Sequence, residues 1–290
     1  MNRFAIITDS STDLPQKVVE ELDVAVLPLR YTIQGEERPN WPDHREMDPY
    51  EFYDLLRKGE RATTAALNSH DYVEMMTPFL DDGQDVLALV FSSGLSTTYQ
   101  SSVIAAEELR EKYPDRKIYV VDTLAASLGQ GLLVWYAAQL RAQGKTIDEV
   151  CNWVEENKLH LCHWFTVDDL NHLKRGGRVS AATALVGTML SIKPVLHVDD
   201  EGHLINMSKA RGRAASLKAL VDKMAETAID PGNQTVFISH GDCEEEARKL
   251  AGMVRERFGV EVAVIGTIGP VIGAHSGPGT MALFFLGEKR

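Results

Sequence analysis

The chain has 290 residues, 44% of them hydrophobic and 25% charged, with a formal net charge of −12. That length suits one large or two medium domains with core enough to keep a ligand cavity. The charge argues against nucleic acid or an anionic membrane as partner.

Cys151, Cys162 and Cys243 are far apart and form no CxxC pair. They fit a reduced compartment better than a disulfide scaffold. The start, from Met1 to Asp9, turns polar too soon for a signal peptide, and no apolar run is long enough to span a bilayer. A soluble cytoplasmic protein is expected.

Residues 4–8 read as a buried strand ending in the polar turn Asp9-Ser10-Ser11-Thr12-Asp13. That turn lacks the Asp-x-Asp spacing of a haloacid-type phosphatase, so a helix cap or the wall of a cleft is expected there. Leu14-Pro15 opens a helix to about Leu22. Residues 24–33 are β-rich but contain Pro28, which favours an edge. Residues 35–45 read as a polar loop, followed by helices over 49–57 and 70–80.

Residues 86–91 form a continuous apolar strand that runs into Ser92-Ser93-Gly94-Leu95-Ser96. A strand, a small-residue turn and a helix start place free backbone N–H groups at one point, which attracts an anion. Ser93 and Ser96 are therefore candidate donors, although Ser96 is equally suited to cap the next helix. A strand over 117–121 ends at Asp122-Thr123, and helices follow over 126–142 and 147–156. Gly129 and Gly131 are expected to let the first of these pack closely on a sheet. This alternation implies a parallel sheet with helices on both faces.

A boundary near residue 158 divides the chain into 1–158 and 159–290. His160, Cys162 and His163 lie close together but cannot all share one strand face, so no metal site is expected. A short helix over 168–174 leads into Arg175-Gly176-Gly177-Arg178, a tight turn whose cations fit either a carboxylate or phosphate ligand or a solvated surface. Residues 195–199 and 204–208 flank a hairpin signal at Asp200-Glu201-Gly202. A helix over 211–227, a strand over 235–239, a helix over 243–258 and a last clear strand over 260–265 follow. Ser239-His240-Gly241-Asp242 lacks a GxSxG elbow and reads as a strand-to-helix turn capped by Asp242.

The second glycine- and hydroxyl-rich segment runs from Ile268 through Ala274-His275-Ser276-Gly277-Pro278-Gly279. It reads as a turn into a helix that begins near Pro278, with His275 titrating near neutral pH and free to donate to a carboxylate or phosphate. Neither segment has the Gly-Lys-Ser/Thr ending of a P-loop or a GxGxxG spacing. A small anion such as a carboxylate is expected.

In order, these segments resemble the DegV family of bacterial fatty-acid-binding proteins. The match takes in Thr8 to Pro15, Phe91 to Gln100, Val121-Asp122-Thr123 with Gly129-Gln130-Gly131, and Leu173 to Arg178. It continues through Ser191-Ile192-Lys193-Pro194, Ser239 to Asp242, and Ile268 to Thr280. Each motif is weak alone, and the ordered set is specific. Thr64-Ala65-Ala66-Leu67-Asn68 stands where the family often has Thr-Ser-x-Pro-Ser, Thr97 replaces a common Gly, and Asp122-Thr123 replaces Asp-Ser.

The resemblance implies two α/β domains, the first with a mainly parallel sheet, and a long-chain fatty acid in the cleft between them. Carried over by position, the carboxylate site would comprise Thr64, Ser93, Ser96, His275, Ser276 and Gly277, with Arg175 or Arg178 as a cation at the cleft or the partner surface. The resemblance also implies a binding subunit without catalysis or cofactor of its own. A separate ATP-dependent fatty acid kinase subunit would form the acyl phosphate for phospholipid synthesis. That division agrees with the lack of a recognisable ATP or Mg²⁺ motif. Two alternatives are a serine-dependent hydrolase or acyltransferase using Ser93 with His275 as base, and a carrier for another amphipathic acid.

Overall fold

The computed structural model describes residues 4–180 and 192–290. Met1–Arg3 and Ser191, both used in the sequence reading, lie outside the described residues.

The first half is built on strands β1 (Phe4–Asp9), β2 (Ala25–Leu27), β6 (Asp85–Val90) and β7 (Ile118–Asp122), in the order β2-β1-β6-β7. All three pairings are parallel, as the strand–helix alternation predicts. Every residue of β1 and β6 is buried, the condition of a parallel sheet covered on both faces. The strand period of two splits the core: Leu87 and Leu89 join one cluster, Val86, Ala88 and Val90 the other.

Pro28 breaks the predicted 24–33 strand in two. Its first part, β2, is an edge of the parallel sheet, and its second, β3 (Arg30–Ile33), belongs to a separate antiparallel sheet of order β4-β3-β5. Two features of that small sheet differ from the sequence reading. The expected polar loop contains β4 (Glu36–Pro39), because Gln34 and Gly35 both take positive φ and close a two-residue hairpin. Residues 62–65 form β5 (Ala62–Ala65), which pairs Thr64 with Tyr31; four residues of small polar and Ala character carry no hydrophobic alternation to read.

The second half has a six-stranded mixed sheet of order β10-β9-β8-β13-β11-β12. Its strands are β8 (Leu161–Thr166), β9 (Ile192–Val198), β10 (Leu204–Arg211), β11 (Val236–His240), β12 (Val262–Thr267) and β13 (Met281–Leu286). β9 and β10 form the expected antiparallel hairpin. β12 is not the last strand. The apolar run expected to be helical after Pro278 is β13, paired antiparallel to both β8 and β11 at the middle of the sheet. A short apolar run cannot be assigned by period alone, and burial on both faces decides it.

The helix Ser127–Ala142 lies between the two sheets. Its core cluster holds Leu87 and Leu89 from the first sheet and Phe165, Leu196, Phe237 and Phe284 from the second. Residues 127–134 of this helix are all buried, as suits a helix covered all round. A Cβ on Gly129 would collide with the His163 ring and come within 2.9 Å of Phe284, so this crossing needs glycine. The helices Arg213–Thr227 and Glu244–Phe258 cover the outer face of the second sheet through Leu217, Leu220, Met224, Leu250 and Val254.

Candidate functional site

A cavity of about 380 Å³ opens between the two halves of the chain. Phe91, Leu95, Phe165, Leu173, Val271 and Phe284 give it apolar walls. Thr64, Ser93, Ser96, Arg178, His275 and Ser276 also line it, while Gly277 and Arg175 do not. Its size and largely apolar lining with a few convergent polar groups are those of a small-molecule site.

Three segments position the polar end. The first is β5, which presents Thr64. The second is the turn after β6. Ser93 is exposed to the cavity there, and Ser96 Oγ accepts the N–H of Thr98 (3.2 Å), one residue before Thr97, which holds the cap position of the helix Thr98–Lys112. Of the expected free N–H groups, those of Ser93 to Ser96 are engaged, whereas those of Thr97, Tyr99 and Gln100 at the helix start have no partner among the described residues. Ser93 N donates to Asp122 Oδ1 (3.1 Å), Gly94 N to Ser92 Oγ (3.1 Å), and the N–H groups of Leu95 and Ser96 to Ser92 O. The hydroxyls and the helix-start amides, rather than the amides of Ser93 to Ser96, remain for a ligand.

The third segment is the helix Pro270–Ser276, with Pro270 in its first turn and His275 in its last. This reverses the sequence reading, which started a helix near Pro278. Gly277 ends the helix at φ 78 and the chain turns into β13. His275 thus lies at the negative end of a short helix, and the helix dipole does not draw an anion there. What holds His275 in place is packing. Its Nε2 is 2.8 Å from Thr64 Oγ1, and its Nδ1 lies against Gly176 so closely that a Cβ there would collide with the ring. The second residue of Arg175-Gly176-Gly177-Arg178 is glycine because the histidine occupies the space.

Burial, and secondarily the Arg178 guanidinium, pushes the His275 pKa down to about 4. The ring is therefore neutral at pH 7, not poised near neutrality as the sequence reading expects. No hydrogen bond joins Ser93 to His275 among the described residues; the imidazole Nε2 is engaged by Thr64. Arg178 is half-buried and donates from Nε (3.3 Å) and Nη2 (3.0 Å) to Leu95 O and from Nη1 to Gly176 O. Arg175 is exposed and donates to His172 Nδ1 (3.0 Å).

Sequence reasoning did not find the polar cluster on another wall. Ser127 and Ser239 line the cavity and their hydroxyls are 3.0 Å apart. Ser127 Oγ donates to Asp13 Oδ2 (2.6 Å), and Gly269 N donates to Asp13 Oδ1 (2.9 Å). Burial pushes the Asp13 carboxyl up to about 8. Two strand-end segments, 9–13, read as a helix cap or the wall of a cleft, and 239–242, read as a capped turn, thus meet across the two halves. Asp242 does not cap the Glu244–Phe258 helix. Cys243 occupies the cap position, and Asp242 forms an ion pair with Arg57 from the first half.

A second cavity of about 420 Å³ adjoins the first and shares Thr64, Arg178 and His275 with it. No His/Cys/Asp/Glu cluster suited to a metal occurs among the described residues, and no helix among them is long and apolar enough to cross a membrane.

A sequence profile described as an uncharacterised protein of the DegV family matches residues 3–288. A DegV domain-containing protein of Clostridium perfringens is 51% identical over 290 residues, covering 100% of this chain and 99% of the relative. A DegV family protein from Thermus thermophilus, described by its fatty acid binding, superposes with a TM-score of 0.87 at 31% identity, over 98% of this chain and 99% of that one. A Thermotoga maritima protein described as revealing fatty acid binding function gives a TM-score of 0.85 at 30% identity, over 99% and 100% of the two chains.

Proposed function

The chain belongs to the DegV family, and from that premise we propose that it binds a long-chain fatty acid and presents the carboxylate to a separate ATP-dependent fatty acid kinase subunit. The acyl tail fills the 380 Å³ cavity, and the carboxylate lies among Thr64, Ser93, Ser96 and His275. Ser276 and Gly277 shape the end of the histidine's helix, and Arg178 lends positive charge at the rim. The boundary between the carrying domains lies near residue 158, and acyl phosphate for phospholipid synthesis is the product of the pair.

The observation that carries this reading is an apolar cavity that ends at the Thr64–His275 hydrogen bond. A tail gains about 0.8 kcal/mol per buried CH₂. A carboxylate drawn in with it loses water and needs donors in exchange, which hydroxyls and a neutral imidazole provide. The shared wall with the outer cavity supports presentation, since a carboxylate at that wall is reachable from outside. The chain acts as a carrier without catalysis or cofactor of its own, in the cytoplasm.

Titration of purified, delipidated protein with palmitate tests the site, using Ser93→Ala and His275→Ala beside the wild type. Each change is expected to weaken binding without unfolding the protein; unchanged lipid binding and unchanged phosphorylation by a cognate kinase in both would refute the assignment. Ester hydrolysis by the wild type that Ser93→Ala abolishes would favour the hydrolase reading instead.

A further inference from the structure

The inner cavity holds a polar point that an all-hydrocarbon tail leaves unanswered. Ser127 and Ser239 line it among Phe165, Ile268, Ala282 and Phe284. Both serines are buried, and among the described residues Ser239 Oγ meets only Ser127 Oγ, at 3.0 Å. Ser127 Oγ in turn lies 2.6 Å from Asp13 Oδ2, while Asp13 Oδ1 accepts the N–H of Gly269. Burial pushes the Asp13 carboxyl up to about 8, so at neutral pH it keeps its proton. One carboxyl and two hydroxyls then bring three protons to two contacts, and one O–H is left without an acceptor. Turning the two hydroxyls together brings that spare O–H to Ser239, at the cavity wall.

A second unanswered group stands on the same wall. His163 lines the cavity and is 2% exposed. Its Nδ1 lies 3.2 Å from Leu161 O, which can only accept, so Nδ1 carries the proton of the neutral ring and Nε2 is a bare acceptor. Nε2 is buried with no partner among the described residues. Ser239 stands opposite Ala282 and His163 opposite Phe284, two residues apart on β13, so both face the cavity from one side of the sheet. Against methylene groups a spare O–H and a bare ring nitrogen each carry the cost of a lost hydrogen bond. A hydroxyl can accept from Ser239 or donate to His163, and a methylene can do neither.

We propose that the fatty acid this cavity selects carries a hydroxyl within its chain, seated at the Ser127–Ser239 pair, with His163 as a further acceptor along the same wall. This rests on the fatty acid reading above and names its substrate class more closely. The carboxylate end is fixed at Thr64 and His275, so the reach from there to Ser239 decides which position of the chain must bear the hydroxyl. One positional isomer is therefore preferred over the others.

The probes are stearate and a panel of hydroxystearates that differ only in the position of the hydroxyl. Dissociation constants are measured on delipidated wild type, Ser239→Ala and Ser239→Thr. The best isomer should bind wild type about tenfold more tightly than stearate, the scale of one buried hydrogen bond. That ratio should fall to near one in Ser239→Ala and survive in Ser239→Thr, which keeps the hydroxyl. Wild type that binds stearate as tightly as every hydroxystearate overturns the proposal alone and leaves the serine pair to water. A preference that persists unchanged in Ser239→Ala also overturns it, because the hydroxyl is then read elsewhere in the cavity. Wild type that binds neither stearate nor any hydroxystearate overturns the fatty acid reading with it.

Discussion

Thr64 Oγ1 lies 2.8 Å from His275 Nε2, although 211 residues separate the two in the chain. The bond ties an edge strand of a small antiparallel sheet to the last turn of the Pro270–Ser276 helix. Thr64→Val keeps the shape of the side chain and removes the hydroxyl. Palmitate affinity should fall by about tenfold, the worth of one hydrogen bond to a charged ligand, while Thr64→Ser should retain most of it. Equal affinities for Val and Ser at this position would show that the hydroxyl does not serve the carboxylate.

Gly176 is predicted to be as sensitive as a residue that touches ligand. A Cβ there collides with the His275 ring, so Gly176→Ala must displace the histidine or the turn. Stability should drop by about 1–3 kcal/mol, as for other overpacked sites, and palmitate binding should weaken with it. Gly252→Ala serves as the control. It lies inside a helix with open space around the added methyl and should raise stability by about 0.5–1 kcal/mol. Urea unfolding of the two variants checks the pair.

The parallel sheet was legible in the sequence because its strands are continuous apolar runs separated by amphipathic helices. The small sheet was not, because β4 and β5 are four residues each with no apolar alternation, and Thr64 was reached only by family resemblance. The helix expected after Pro278 failed for a different reason. Met281–Leu286 is apolar throughout, and only its pairing with β8 and β11 makes it a strand. His275 stands out in the sequence beside the glycines, but its neutrality follows from burial between two halves of the chain, which no local motif encodes. The meeting of Asp13 with Ser127 and Ser239 likewise depends on the packing of two sheets against one helix.

Asp13 should make stability fall as pH rises. Its folded-state pKa is raised to about 8 from 3.8, so between those values the folded protein holds a proton that the unfolded chain releases. The contribution is fully present below the unfolded value and is lost as pH rises through the folded one. Asp13→Asn keeps an acceptor for Gly269 N–H and a donor for Ser127. It should therefore flatten the pH dependence of the urea midpoint between pH 4 and pH 8 (about the window of the two pKa values), making the variant comparatively better at the alkaline end. An identical slope in wild type and variant would contradict the assignment.

The Arg57–Asp242 pair links the two halves at a partly exposed position. Asp242→Asn should cost no more than about 1 kcal/mol, the range of surface ion pairs, and its effect should shrink at high salt. A loss that persists at high salt would return Asp242 to a local role at the start of the Glu244–Phe258 helix.

The most direct test of the central claim is mass spectrometry of an organic extract from protein purified without added lipid, followed by palmitate titration of the delipidated protein. A long-chain fatty acid recovered in stoichiometric amount, and rebound after removal, is the predicted result. Folded protein that yields no fatty acid and binds none on titration would contradict the account.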